Sequence, residues 1–225
     1  STIRKIDAVI QPMYESYLTR RVPLAPSRLQ NIRTLMAAEM PDNWTDATVP
    51  LVGGVSWALT AGPRRFRQTA SSLSSNPNWA SRQNWYQSAE CLFMIVAIGG
   101  YDPWAIENFR NDEIGDIDGD GAREFHDGWG RPIFYVRWPV GFPSLMQAAD
   151  PVANPDPFDP TRISGPPLDF GLIPLIYSPG PDESLNDPLS TSESGYGLEA
   201  GPPLIGKNLT SLRKLSPVPA TVKDP

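Results

Sequence analysis

With 225 residues, 40% of them hydrophobic, the chain can bury one generous core or two small ones, while its 26 prolines disfavour long uninterrupted helices and sheets. A formal net charge of −6 makes nucleic acid a poor partner, since binding it takes clustered Lys and Arg. One cysteine, Cys91, and one histidine, His126, exclude an intrachain disulfide, a cysteine-based zinc site and any multi-histidine metal centre, and no run of about 18 apolar residues is present to span a membrane.

Charge and proline are unevenly distributed. Residues 1–100 carry ten Lys or Arg against six Asp or Glu, with seven prolines; residues 101–225 carry nine against nineteen, with nineteen prolines. A mildly basic, helix-capable front therefore precedes an acidic, proline-rich back. No signal peptide is visible, and no fixed-period repeat.

Ile3, Ile6, Ile10, Met13 and Tyr17 recur at steps of three and four and mark one helical stripe. Pro12 falls inside it and predicts a kink or a new turn. The helix should end near Arg20–Arg21, where cations suit the negative end of the helix dipole. A second helix is expected from about Pro26 to Met40, with Leu29, Ile32, Leu35 and Met36 inward and Pro41 as its stop. Asp42 to Gly62 reads as irregular, with a turn at Gly53–Gly54. A shorter helix follows from Pro63 to about Leu73, on which Arg64-Arg65-Phe66-Arg67 reads as a solvated face rather than a nucleic-acid patch. The longest apolar helix should be capped by Ser81 and run to Ile98 before Gly99–Gly100, with Trp85, Ala89, Leu92, Phe93 and Val96 on its core face. Cys91 within it reads as a small buried hydrophobe rather than a nucleophile.

Beyond Gly100 the strand candidates are Ile133–Trp138 and Leu172–Tyr177, both rich in β-branched and aromatic residues. Between them, Asp150 to Leu168 reads as a long surface excursion. From about Gly195 the chain is polar and rich in Gly and Pro, as in a loosely packed tail.

One constellation stands out. Asp116-Ile117-Asp118-Gly119-Asp120-Gly121 puts carboxylates at positions 1, 3 and 5 and glycine at position 6, with Glu124 at position 9 and Asp127 at position 12. That is the spacing of an EF-hand-type calcium loop, in which alternate oxygens converge on one ion and the glycine permits the sharp turn. Oxygen ligands without His or Cys select calcium over transition metals. Arg123 stands where a paired EF-hand has an apolar residue, and Gly-Trp-Gly-Arg-Pro after Asp127 cannot be an exiting helix. The pattern is a calcium loop without the flanking helices. Against this stands a solvated acidic turn balanced by Arg110 or Arg123.

Catalytic motifs are thin. Any Ser-His-Asp arrangement must use His126, Gly54-Val55-Ser56-Trp57-Ala58 lacks the second glycine of a nucleophile elbow, and no phosphate-cradling or Rossmann glycine pattern occurs. An acidic-residue hydrolase would need two facing carboxylates in a buried cleft. Trp129 and Trp138, with Phe134 and Tyr135, read most simply as core around a strand, with carbohydrate stacking as the sharper alternative. Asn43-Trp44-Thr45 and Asn208-Leu209-Thr210 match the glycosylation sequon, a frequent chance match.

Asp127-Gly128-Trp129-Gly130-Arg131-Pro132-Ile133, continuing into Phe134-Tyr135, resembles the D-x-W-G-x-P-x-x-Y signature of type II secretion pseudopilins. Pro174-Leu175-Ile176-Tyr177-Ser178-Pro179-Gly180-Pro181-Asp182 resembles their later strand ending in S-x-G-x-D. The two fragments, nine residues each, cover 18 of the 225 residues, in the family's order. The resemblance implies a non-catalytic α+β, pilin-like subunit: a stalk helix, a helical layer and a small antiparallel sheet with long proline-rich acidic loops. It divides the chain into the C-terminal part of a stalk helix (1–22), a helical region (23–100), a calcium-loop and sheet region (101–195) and an extended tail (196–225). It further implies periplasmic placement, packing against other pseudopilin-like subunits through the N-terminal helix, and an inner-membrane anchor preceding Ser1. The calcium loop that this family carries after the S-x-G-x-D strand would implicate Asp182 and, more remotely, Asp187, although Glu183 replaces the glycine usual after the aspartate. The alternatives are a soluble calcium-dependent binding module, such as one for carbohydrate, and the hydrolase above.

Overall fold

The computed structural model describes residues 1–22, 28–48, 61–138, 158 and 174–180. They form a mixed α+β arrangement of helices and two small antiparallel sheets. Asp182, Asp187, the Gly53–Gly54 turn, the tail from 196 and all of the 150–168 excursion except Phe158 lie outside them.

Helix α1 spans Thr2–Thr19 and buries Ile6, Val9, Ile10, Met13, Tyr14 and Tyr17, so the predicted stripe is its core face. The helix runs continuously through Pro12. Pro12 and Ala8, whose carbonyl loses its partner to the proline, are both exposed, so water can satisfy the freed oxygen. No helix among the described residues is long and apolar enough to cross a membrane. At the helix end Arg20 turns onto Glu39, with N–O distances of 3.2 and 2.9 Å, and the Tyr17 hydroxyl donates to the same carboxylate at 2.7 Å. The cation that reaches a terminal α1 carbonyl is Arg28, 3.0 Å from Leu18 O.

Helix α2, Arg28–Glu39, buries Leu29, Ile32, Leu35 and Met36 as expected. A short helix, α3, occupies Trp44–Thr48 inside the stretch expected to be irregular. Asn43 initiates it, its side-chain oxygen accepting from the Asp46 amide at 2.8 Å. Helix α4 is Gly62–Leu73, with Arg64 and Arg65 exposed.

The expected helix from Ser81 to Ile98 is broken in two. Ser81 lies inside a four-residue helix, α5 (Trp79–Arg82), and α6 begins only at Gln87 and ends at Ala97. Arg82 is drawn aside to the backbone of the acidic loop, and Trp85 folds under its guanidinium, 5.3 Å from the ring centre. The chain then restarts where the Gln87 side chain accepts from the Trp44 amide at 3.2 Å. Helix α6 is central: Ala89, Cys91, Leu92, Met94, Ile95 and Val96 are all buried, and strands β2 and β3 pack upon it.

Two 3-10 turns, Ala105–Asn108 and Asn111–Glu113, lead into β1 (Ile114–Gly115), which pairs antiparallel with β2 (Glu124–Phe125). That hairpin was not foreseen. The predicted strands do pair: β3 (Phe134–Val136) lies antiparallel to β4 (Leu175–Tyr177), with Tyr135 opposite Ile176. At two or three residues per strand the ladders are too short to be stable alone. Packing holds them: Phe125 sits between Phe93 and Phe109, at 5.2 and 4.4 Å, and Phe134 stacks on Tyr177 at 5.6 Å.

Two polar clamps join the layers. Arg137, almost wholly buried, follows β3 and reaches Asp46 at 2.6 Å, Asp42 at 3.4 Å and the Met40 carbonyl at 3.0 Å. Glu113 accepts from Thr2 at 2.8 Å, Lys5 at 2.6 Å and the Arg110 amide at 2.7 Å. Burial alone would raise the Glu113 carboxyl, but the Arg110 amide, Lys5 and Thr2 together hold it at about 2.

Arg137→Ala should cost about 3 kcal/mol in urea unfolding, because two carboxylates lose their cation, and Arg137→Met should cost less. The Glu113 contribution is complete above the unfolded carboxyl range and is lost as pH falls from about 4.5 toward 2. Glu113→Gln should accordingly flatten the stability profile in that window.

Candidate metal centre

Residues 116–123 connect β1 to β2, so the calcium-type loop is the closure of a β-hairpin rather than a link between two helices. The Asp116 side chain organises it. One of its oxygens accepts from the Gly119 amide at 2.7 Å and the Asp120 amide at 3.1 Å, and the other accepts from Gly121 at 3.0 Å. Gly121 must be glycine twice over. Its φ is +98°, and a Cβ there would lie 2.8 Å from the Asn76 amide nitrogen.

The segment before α6 holds the loop from outside. Arg82 donates to the carbonyl of Asp118, Asn78 to that of Gly119 at 3.0 Å, and Asn76 to that of Asp120 at 2.6 Å. Three successive carbonyls are thus engaged from one side. The carboxylates of Asp118, Asp120 and Glu124 are buried, with exposures of 8%, 0% and 0%.

They meet a residue from elsewhere. Glu90, in the first turn of α6 and 1% exposed, joins Asp118 and Glu124 in a group whose ligand oxygens all lie within 4.8 Å of one another. Asp116, Asp118 and Asp120 form a second such group, and Asp118 belongs to both. One oxygen each of Glu90, Asp118, Asp120 and Glu124 is buried and has no hydrogen-bond partner among the described residues. The other Glu90 oxygen accepts from the Trp44 indole N–H, and the other Glu124 oxygen accepts from the Ile117 amide at 3.0 Å.

The electrostatics follow from the packing. Burial, reinforced by Asp120, raises Glu90 well above the ordinary carboxylate range. Burial raises Glu124 to about 9, with the Ile117 amide opposing and the loop aspartates adding to it. Burial and the charge of Asp120 bring Asp118 to about 6, and burial raises Asp120. Arg82 is the cation whose charge lowers Asp118 and Asp120, but its hydrogen bond goes to a backbone carbonyl. Arg110 turns instead to Asp112, at 2.9 Å. This is not a solvated acidic turn. Hard, crowded, unpartnered oxygens of this kind suit a divalent cation of the calcium class.

Of the sequence-predicted ligands, Asp116, Asp118, Asp120 and Glu124 come together, and Asp127 does not. One Asp127 oxygen accepts from the amides of Trp129 and Arg131, at 2.8 and 2.9 Å, and the other accepts from the Ser178 hydroxyl. The glycine-rich turn after it needs that carboxylate as its anchor, so position 12 is lost to the loop. Trp129, expected in the core, is 64% exposed. Trp138 is half-buried, with the Arg137 guanidinium 4.3 Å from its ring centre. His126 lies at the strand edge, bridged to Pro132. Glu90 was missed. Its signal was a lone carboxylate inside the apolar run Ala89 to Val96.

No protein-family model, curated protein sequence or solved structure matches the chain.

With divalent ions chelated at pH 8, Asp118→Asn should melt higher than the parent, by about 1–2 kcal/mol of stability. It removes one buried charge and keeps an oxygen for the Asp120 amide. The sign follows from the raised carboxyl: its penalty is absent below the unfolded range near 3.8 and complete once pH exceeds about 6.

Proposed function

We propose that the chain is a non-catalytic structural subunit of the pseudopilin type, the soluble body of a secretion or pilus-like assembly, stiffened by one calcium ion in the loop between β1 and β2. The observation that carries the pilin part is the meeting of the two resembling fragments. Asp127, the first residue of the D-x-W-G-x-P stretch, accepts from Ser178, the serine of S-x-G-x-D, and the strands on either side pair antiparallel. Residues 51 apart in sequence thus close one turn. In this role α1 is the body-proximal part of the stalk. Its buried face packs on the body and its exposed face, including Leu18, is available to neighbouring subunits. The placement is extracytoplasmic, at the inner membrane, with the anchor upstream of Ser1.

The calcium part rests on the four unpartnered, buried carboxylate oxygens. Burial weighs against glycoside hydrolysis. Glycosidase carboxyl pairs flank an open sugar cleft, whereas Glu90, Asp118 and Glu124 are 1%, 8% and 0% exposed. They are spaced to share an ion. A calcium-dependent carbohydrate-binding module is the second reading, favoured by the exposed ring of Trp129.

Two measurements separate these. Calcium should raise the melting temperature, chelator should lower it, and Asp118→Ala should abolish the response; an unchanged melting curve in chelator would remove the calcium claim. The coding sequence upstream of Ser1 should encode a short basic leader, a glycine and about twenty apolar residues. A separate folded domain there, together with glycan-array binding lost in Trp129→Ala, would favour the carbohydrate module instead.

A further inference from the structure

We propose that Glu90 is the closing ligand of the cation site, supplying from helix α6 the carboxylate that a helix–loop–helix site takes from its twelfth position. The inference rests on the cation site proposed above and goes beyond it. The loop's own spacing assigns that job to Asp127, and the fold assigns it elsewhere.

Three observations converge on Glu90. First, Asp127 at the twelfth position belongs to neither group of converging oxygens, and its carboxylate is bonded to the following turn and to Ser178. A calcium loop that lacks its last carboxylate is short of oxygens toward the six to eight that the ion takes. Second, Glu90 is 1% exposed, and one of its oxygens has no partner among the described residues while lying in the group formed with Asp118 and Glu124. A buried carboxylate in an otherwise apolar helix is costly unless something offsets it. The Trp44 indole offsets half, leaving one oxygen to serve as a ligand. Third, Glu90 also lines a cavity of about 280 Å³, shared with Trp44, Leu73, Met94, Gly121 and Ala122. The carboxylate therefore has space on that side for a water.

The consequence is a long-range cross-link. An ion held by Asp116, Asp118, Asp120 and Glu124 alone would stiffen one hairpin. With Glu90 it ties that hairpin to α6, and through the indole of Trp44 to α3. The ion then becomes part of the core rather than an ornament of a loop.

Terbium, a luminescent stand-in for calcium, tests this directly, because the Trp44 indole touches Glu90 and can sensitise emission. The parent chain should bind terbium in competition with calcium. Glu90→Gln should weaken that affinity about tenfold or more, and Asp127→Asn should leave it within about twofold. Should Glu90→Gln fail to fold, Glu90→Asp keeps the charge and withdraws the oxygens. Emission lifetimes in light and heavy water should then count at least one additional water on the ion. Unchanged affinity and water count in the Glu90 variants, with the parent binding normally, would overturn the inference and leave the cation site standing. No calcium-competed terbium binding by the parent would overturn both.

Discussion

Four carboxylates, Glu90, Asp118, Asp120 and Glu124, are packed into the interior beneath one helix, and each keeps an oxygen without a hydrogen-bond partner among the described residues. Ionised and unpartnered, such a group would work against folding, since burial and mutual repulsion both disfavour it. The surrounding structure nevertheless holds it together. Asn76, Asn78 and Arg82 secure the loop carbonyls, Asp116 gathers the loop amides, and Trp44 and Ile117 each satisfy one oxygen of the two glutamates. Donors have been placed on every side except the middle. That pattern suits a divalent cation, whose charge would turn the repulsion into attraction.

The same hairpin is where the rest of the chain is fastened. Glu113, just before β1, holds the first turn of α1 through Thr2 and Lys5. Asp127, just after β2, anchors the turn that sets β3 beside β4 and takes the Ser178 hydroxyl from beyond it. One acidic loop thus sits between the tie to the N-terminal helix and the tie to the second sheet. For a subunit proposed to pack against its neighbours through its N-terminal helix, a rigid joint at that position is of more use than a sensor.

Local periodicity made most of the helical layer legible in the sequence. The stripe from Ile6 to Tyr17 and the inward face of α2 correspond to buried faces because each follows the helical period, while the two strand candidates were legible from their β-branched and aromatic content. The misses came where tertiary contacts outrank local preference. Nothing near Ser81 foretells that Arg82 is pulled to a carbonyl 36 residues away, breaking the expected helix. Trp129 looks like core by composition, yet the Asp127 turn lifts it into solvent. At the metal centre the loop spacing found Asp116, Asp118, Asp120 and Glu124, because those ligands are local. It also nominated Asp127, which the turn had taken, and missed Glu90, whose relation to the loop exists only after folding. A single carboxylate in an apolar helix was the one available hint.

The central claim, that a divalent ion completes the buried carboxylate cluster, is tested most directly by anomalous diffraction from crystals grown in calcium. One anomalous peak per chain is predicted, about 2.3–2.6 Å from oxygens of Asp116, Asp118, Asp120, Glu124 and Glu90. A cluster containing only water, or carboxylates paired through shared protons with calcium present in excess, would contradict the account.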